Sequence, residues 1–108
     1  MIYNELPDVT LKMILDIGIL KIGTRVYAYP DYKISGTLDK EGAITLKIDN
    51  EAKIFPFPSG AARSITKTSV NGWKFWRVLE NGNYNELSYY KEKYKLNKNK
   101  IQNSNSNS

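Results

Sequence analysis

Any chemistry in this chain has to come from hydroxyls, carboxylates, amines and the backbone, because histidine and cysteine are both absent. Without histidine the commonest general base and metal ligand is missing. Without cysteine there are no disulfides and no thiolate metal sites. A serine or threonine nucleophile would need activation by a lysine or a carboxylate. The acids Asp31, Asp39, Glu41, Asp49 and Glu80 mostly flank turns and make no spaced pair on one expected face. The glycines fit neither common phosphate-loop pattern. The chain is therefore expected not to be an enzyme, and to use no metal, no cofactor and no small-molecule substrate.

The residue types that do gather suit a polyanion. No acid occurs between Ala52 and Leu79, while Lys53, Arg63, Lys67, Lys74 and Arg77 all fall there. The imbalance extends further: residues 1–50 carry six Lys/Arg and seven Asp/Glu, and residues 51–108 carry ten and four. A one-sided basic surface raises the local concentration of anionic partners. Within the acid-free stretch, Pro58 suits the first position of a helix, where its missing N–H costs nothing. Such a helix start offers free N–H groups and the positive end of a dipole to a phosphate oxygen. Ser59 adds a hydroxyl there. Arg63 and Lys67 follow on the polar side, and Lys74 lies further on. Thr68, Ser69 and Asn71 are short donors for phosphates or base edges. Trp73 offers a ring for stacking. Each of these residues also has a plain structural role open to it: helix start, solvated face, Asn-Gly turn or core aromatic.

These residues need a scaffold, and the sequence outlines one. Asp8-Val9-Thr10 supplies N-cap chemistry for a short helix bearing Leu11, Ile14 and Leu15 on one face, with Gly18 placed to end it. Arg25–Tyr29, Lys33–Leu38 and Ala43–Ile48 alternate apolar and polar residues, with turn residues between them. That pattern predicts an antiparallel meander with one buried face, and Lys53–Phe55 extends it. Ser59–Thr66 reads as a helix with Ala61, Ala62 and Ile65 inward. Asn71-Gly72 reads as a tight turn into a strand over Trp73–Leu79, which places Trp73 and Trp76 on opposite sheet faces. Asn81-Gly82 is a second turn signal. Asn85 then reads as the cap of a final helix with Leu87, Tyr90 and Tyr94 on one face. The expected architecture is α+β, a small antiparallel sheet of 4–5 strands packed with a few short helices, in one domain over residues 1–96.

Residues 97–108 are dominated by Asn, Ser and Lys and read as a disordered polar tail. No apolar run is long enough to span a membrane, and the N-terminus lacks the basic region of a signal peptide. An intracellular, soluble protein is expected.

Three separated motifs carry a resemblance. They are Gly18-Ile19-Leu20-Lys21-Ile22-Gly23, Phe55-Pro56-Phe57-Pro58-Ser59-Gly60-Ala61-Ala62, and Ser69-Val70-Asn71-Gly72-Trp73-Lys74-Phe75-Trp76. In this order they resemble the RAMA domain, the module associated with restriction enzymes and adenine methyltransferases, over roughly residues 8–90. The resemblance implies an α+β module acting in DNA binding, in some members with a preference for methylated adenine. Phe57 departs from the pattern, since the family usually has Ser there and Phe cannot cap a helix. Double-stranded DNA is thus the expected partner, through Ser59, Arg63, Lys67, Thr68, Ser69, Asn71, Trp73 and Lys74. The alternative is a protein-interaction adaptor that docks a partner on an aromatic groove and on Tyr84, Tyr89, Tyr90 and Tyr94.

Overall fold

The computed structural model describes residues 9–106, with side chains to residue 97. Helix α1 (Leu11–Asp16) begins at Thr10, whose Oγ1 accepts from the Met13 N–H at 3.2 Å. The Met13 Sδ accepts in turn from the Thr10 N–H at 3.4 Å, so the cap is reciprocal. The helix stops because Gly18 takes φ +84, a conformation that glycine adopts without strain. Asp8, weighed with Thr10 as a cap, lies outside the described residues, as does the N-terminal stretch read as lacking a signal peptide.

The meander forms as its alternation predicts. Strands β1 (Arg25–Ala28), β2 (Ser35–Leu38), β3 (Ile44–Ile48) and β4 (Glu51–Phe55) pair antiparallel in succession. The chain then returns across the buried face of the sheet through α2 (Pro58–Thr66) and α3 (Gly72–Phe75). It re-enters the sheet as β5 (Trp76–Glu80) beside β1, and β6 (Asn83–Glu86) completes the edge. The order is β4-β3-β2-β1-β5-β6. Helix α4 (Leu87–Ser106) follows directly. It takes in residues 97–106 of the segment expected to be a disordered tail over 97–108, whose side chains from residue 98 lie outside the described residues. Among the described residues no helix is long and apolar enough to cross a membrane.

One core lies between the sheet and the helices. The inward residues of β1, β2, β3 and β5 include Val26, Leu38, Ile44, Leu46 and Trp76, all buried. Against them pack Ile14 of α1, Ala61 and Ala62 of α2, and Leu87 and Tyr90 of α4. The two alanines let α2 lie close to the sheet.

Two expectations are corrected. The sheet has six strands, above the 4–5 expected, because Asn83–Glu86 is a strand and Asn85 is not a helix cap. This segment carries one strong β-former, Tyr84, and its polarity hides it. It pairs because Asn81 and Gly82 take φ 53 and 80, the two positive values of a tight hairpin turn. Secondly, Trp73–Leu79 is not one strand. Asn71 Oδ1 accepts from the Trp73 N–H at 3.0 Å, so Asn71-Gly72 opens a helical turn rather than a hairpin. The cap wins over the β-propensity of Trp73 and Phe75. The two tryptophans are therefore not on opposite faces of one strand, since Trp73 is outside the sheet.

The C-terminal helix is pinned by Tyr90. Its hydroxyl donates to Glu80 Oε1 at 2.9 Å and accepts from Asn85 Nδ2 at 3.2 Å. Burial, reinforced by Glu80, pushes the phenol up to about 12 from an ordinary value of 10. A raised folded-state value means that folding favours the neutral phenol. Stability from this group is complete below pH 10 and is lost as pH rises toward 12. Thermal melts should thus lose roughly 2–3 kcal/mol across that window, and Tyr90→Phe should flatten that part of the profile. Matching alkaline profiles in both proteins would refute the assignment.

Candidate nucleic-acid interface

Helix α2 begins without a side-chain cap. Phe57 holds the N-cap position in an extended conformation and makes no side-chain capping bond. Pro58 has no N–H, and the Ala61 N–H is taken by the Phe57 carbonyl at 3.2 Å. The N–H groups of Ser59 and Gly60 are thus the donors that the helix geometry leaves over. Beside them is a notch of about 180 Å³ lined by Ser59, Gly60, Arg63, Ser69 and Val70. One guanidinium, two hydroxyls and a helix start converge there. These are the groups that bind a phosphate oxygen.

The connection from α2 to α3 is held by its own polar groups. Lys67 ends α2 at φ 65, with its N–H on the Arg63 carbonyl at 2.8 Å and its side chain exposed. Thr66 Oγ1 donates to the Thr68 carbonyl at 2.9 Å and accepts from the Thr68 N–H at 3.2 Å. Asn71 spends its carbonyl oxygen on capping α3, which leaves the amide NH₂ as the outward donor. Lys74 is exposed on α3.

Trp73 faces a different space. Together with Pro56, Phe57, Pro58 and Ser59 it walls a cleft of about 450 Å³, closed on the far side by residues 9–12 and by Glu41 and Gly42. Lys91 Nζ lies 4.8 Å from the centre of the Trp73 ring. Phe57 is 66% exposed at the mouth.

The structure therefore sorts the expected residues into groups. Ser59, Arg63 and Ser69 come together in the notch. Ser59 also borders the cleft that contains Trp73. Lys67, Thr68 and Asn71 lie along the connecting loop, and Lys74 lines neither space. Sequence reasoning missed the far wall of the cleft. It forms because Gly42, at φ +79, lets the β2–β3 turn touch the backbone of Lys12, a contact that no local pattern announces. Phe57 was visible as a departure from the family motif, but its place at the cleft mouth was not.

The aromatic residues proposed for a protein partner are also divided. Tyr90 is buried in the core, and Tyr84 belongs to β6. On α4, Tyr89 is exposed and Tyr94 is half-buried. They do not form one helix face for docking.

A small α+β domain with a basic, acid-free helix and loop on its surface is the class that this geometry defines. Residues 4–100 match the model of the RAMA family, Restriction Enzyme Adenine Methylase Associated. The chain belongs to that family. No curated protein matches it.

Proposed function

We propose that this chain is a non-catalytic module that binds double-stranded DNA through the start of α2 and the loop from α2 to α3. The observation that carries this reading is the convergence of Ser59, Gly60, Arg63 and Ser69 around one notch in a stretch without acids. Arg63 and the helix start hold one phosphate, with Lys67 and Lys74 neutralising its neighbours. Asn71, through its free amide, and Thr68 serve as the base-edge donors. Preference for adenine-methylated DNA is the finer part of the proposal. The cleft beside Ser59, with Phe57, Pro56 and Trp73 on its walls, supports it as an apolar surface suited to a methyl group. The family's association with restriction enzymes and adenine methylases agrees with a DNA-related role.

Salt dependence tests the phosphate assignment. Three neutralised phosphates give a log–log slope near −2.7, from about −0.9 per phosphate. Arg63→Ala should weaken binding to all duplexes alike and make the slope shallower by about one unit. Asn71→Ala should leave the slope unchanged and narrow the difference between preferred and non-preferred duplex sequences, and Phe57→Ala, on the cleft wall, should narrow the difference between methylated and unmethylated duplexes. A folded wild-type protein without salt-sensitive affinity for duplex DNA would remove this reading in favour of a protein partner.

A further inference from the structure

The sheet has a second face, and no core residue belongs to it. Every strand residue of the core cluster points toward the helices. On the opposite face, Arg25 stands beside Thr37, and Thr37 beside Thr45. Tyr27 stands between Ser35 and Arg77, and Arg77 beside Glu86. The face thus consists mainly of cations, hydroxyls and tyrosines, with Ile54 of β4, beside Thr45, and Leu79 of β5, beside Tyr84, as its exposed apolar residues. Glu86 is its carboxylate among the described strand residues, and Arg77 Nη2 holds it at 3.5 Å. Among the described residues Arg25 and Lys47 have no carboxylate partner, and they flank a trough of about 360 Å³ floored by Ser35, Thr37 and Thr45. Arg25 Nη1 donates to Ser35 Oγ at 3.0 Å, which orients the guanidinium over the trough. The two cations sit two strands apart, roughly 10 Å.

Beside the trough the tyrosines are already arranged as a platform. Tyr32 stacks on Tyr84 with ring centres 3.8 Å apart, and Tyr27 meets Tyr84 edge-on at 5.4 Å. The Arg77 guanidinium lies 3.9 Å from the centre of the Tyr29 ring. The Tyr29 ring also meets Tyr32 at a tilt, with centres 6.2 Å apart, yet Tyr29 is 47% exposed, so a ring held by a cation and a second tyrosine keeps surface open to solvent. Arg77 itself is committed to Glu86 and Tyr29, and acts by positioning that ring.

We propose that this outer sheet face binds single-stranded nucleic acid, with phosphates at Arg25 and Lys47 and a base on Tyr29. The excess of cations over free carboxylates favours a polyanion. The exposed ring selects a strand whose bases are unstacked, because a duplex offers no base face to it. The surface is separate from the α2 start and does not depend on the duplex proposal.

The test is fluorescence anisotropy of the whole chain with labelled dT12, rU12 and a DNA hairpin duplex. Wild type should bind dT12 or rU12, and the better of the two identifies the strand as DNA or RNA. The double variant Arg25→Ala/Lys47→Ala should weaken that binding at least tenfold. It should also make the salt slope shallower by about 1.4, from roughly 0.7 per phosphate on a single strand. Its duplex affinity should stay within twofold. Tyr29→Ala should weaken single-strand binding with the slope unchanged. Arg63→Ala should show the reverse selectivity, weakening the duplex alone. Circular dichroism confirms that each variant is folded, and Arg25→Lys/Lys47→Arg, which keeps both charges, should retain binding. Failure of wild type to bind dT12 and rU12 would overturn the proposal while leaving the duplex reading intact. So would single-strand binding indifferent to the double variant, or parallel loss of single-strand and duplex binding in it. Binding to dT12 without binding to the duplex would do the opposite.

Discussion

Gly72→Ala should be among the most destabilising single substitutions in the protein, although it adds only one methyl group. Gly72 does not lie at positive φ, so the backbone itself would accept alanine. The obstacle is space. A Cβ at Gly72 would run into the backbone of Pro58 and Ser59, and would come within 2.6 Å of the Pro58 carbonyl oxygen. Backbone at a helix start cannot swing aside as the end of a flexible side chain can. Either α2 or α3 must shift, and both pack on the same core. Overpacking of this kind costs about 3 kcal/mol or more at its upper range. For a domain of about 100 residues this lowers Tm by roughly 12 °C or more. Gly82→Ala provides the contrast. Gly82 is at φ +80 with open space around it, so only backbone strain applies, about 1–2 kcal/mol. If thermal melts place Gly72→Ala at or above Gly82→Ala in stability, the close approach of the two helices is refuted.

Trp76→Ala should abolish cooperative folding near room temperature. Trp76 is fully buried, and its indole Nε1–H donates to the Pro58 carbonyl at 3.0 Å. Truncation to alanine costs about 3–5 kcal/mol from the lost side chain. The Pro58 carbonyl then loses its buried partner, a further 1–3 kcal/mol or so. The sum is comparable to the whole stability of many small domains, about 5–15 kcal/mol. Trp76→Phe separates the two contributions. It keeps an aromatic ring in the core but removes the N–H, and should retain a folded protein with a clear loss in urea midpoint. Equal midpoints for wild type and Trp76→Phe would show that the hydrogen bond carries no net stability. Pro58 opens the helix proposed to bind DNA, so Trp76→Phe should also weaken duplex affinity under conditions where the protein remains folded.

Both predictions concern the joint between α2 and the α3–β5 segment, and this joint marks the limit of what the sequence made legible. The meander was readable because Ile44, Leu46 and Ile48 alternate with Thr45 and Lys47, and an alternating strand can bury only one face. The first helix was readable from Thr10 at one end and Gly18 at the other. The α2 start was readable from Pro58, and its close packing from Ala61 and Ala62. Arg63, Ser59 and Ser69 were found as candidates because an acid-free stretch with a helix start needs no distant partner to be recognised.

What the sequence determined by itself were features set within one turn of helix or one strand pair: caps, alternation, turn residues, the placement of charge and the order of the family's motifs. Tertiary structure decided the rest. Gly72 is needed for the space it leaves to Pro58, not for a turn conformation. Trp73 leaves the sheet because the Asn71 cap starts a helical turn that packs against α2. Asn83–Glu86 becomes a strand only because β5 is there to pair with it. The outer face acquires its tyrosine platform only when Tyr27, Tyr29, Tyr32 and Tyr84 are assembled from separate segments. The physical reason is range. Propensity and capping act over three or four residues, whereas the bond from Trp76 to Pro58 spans 18 positions. Its partner is fixed by the face of α2 that the two alanines turn toward the sheet.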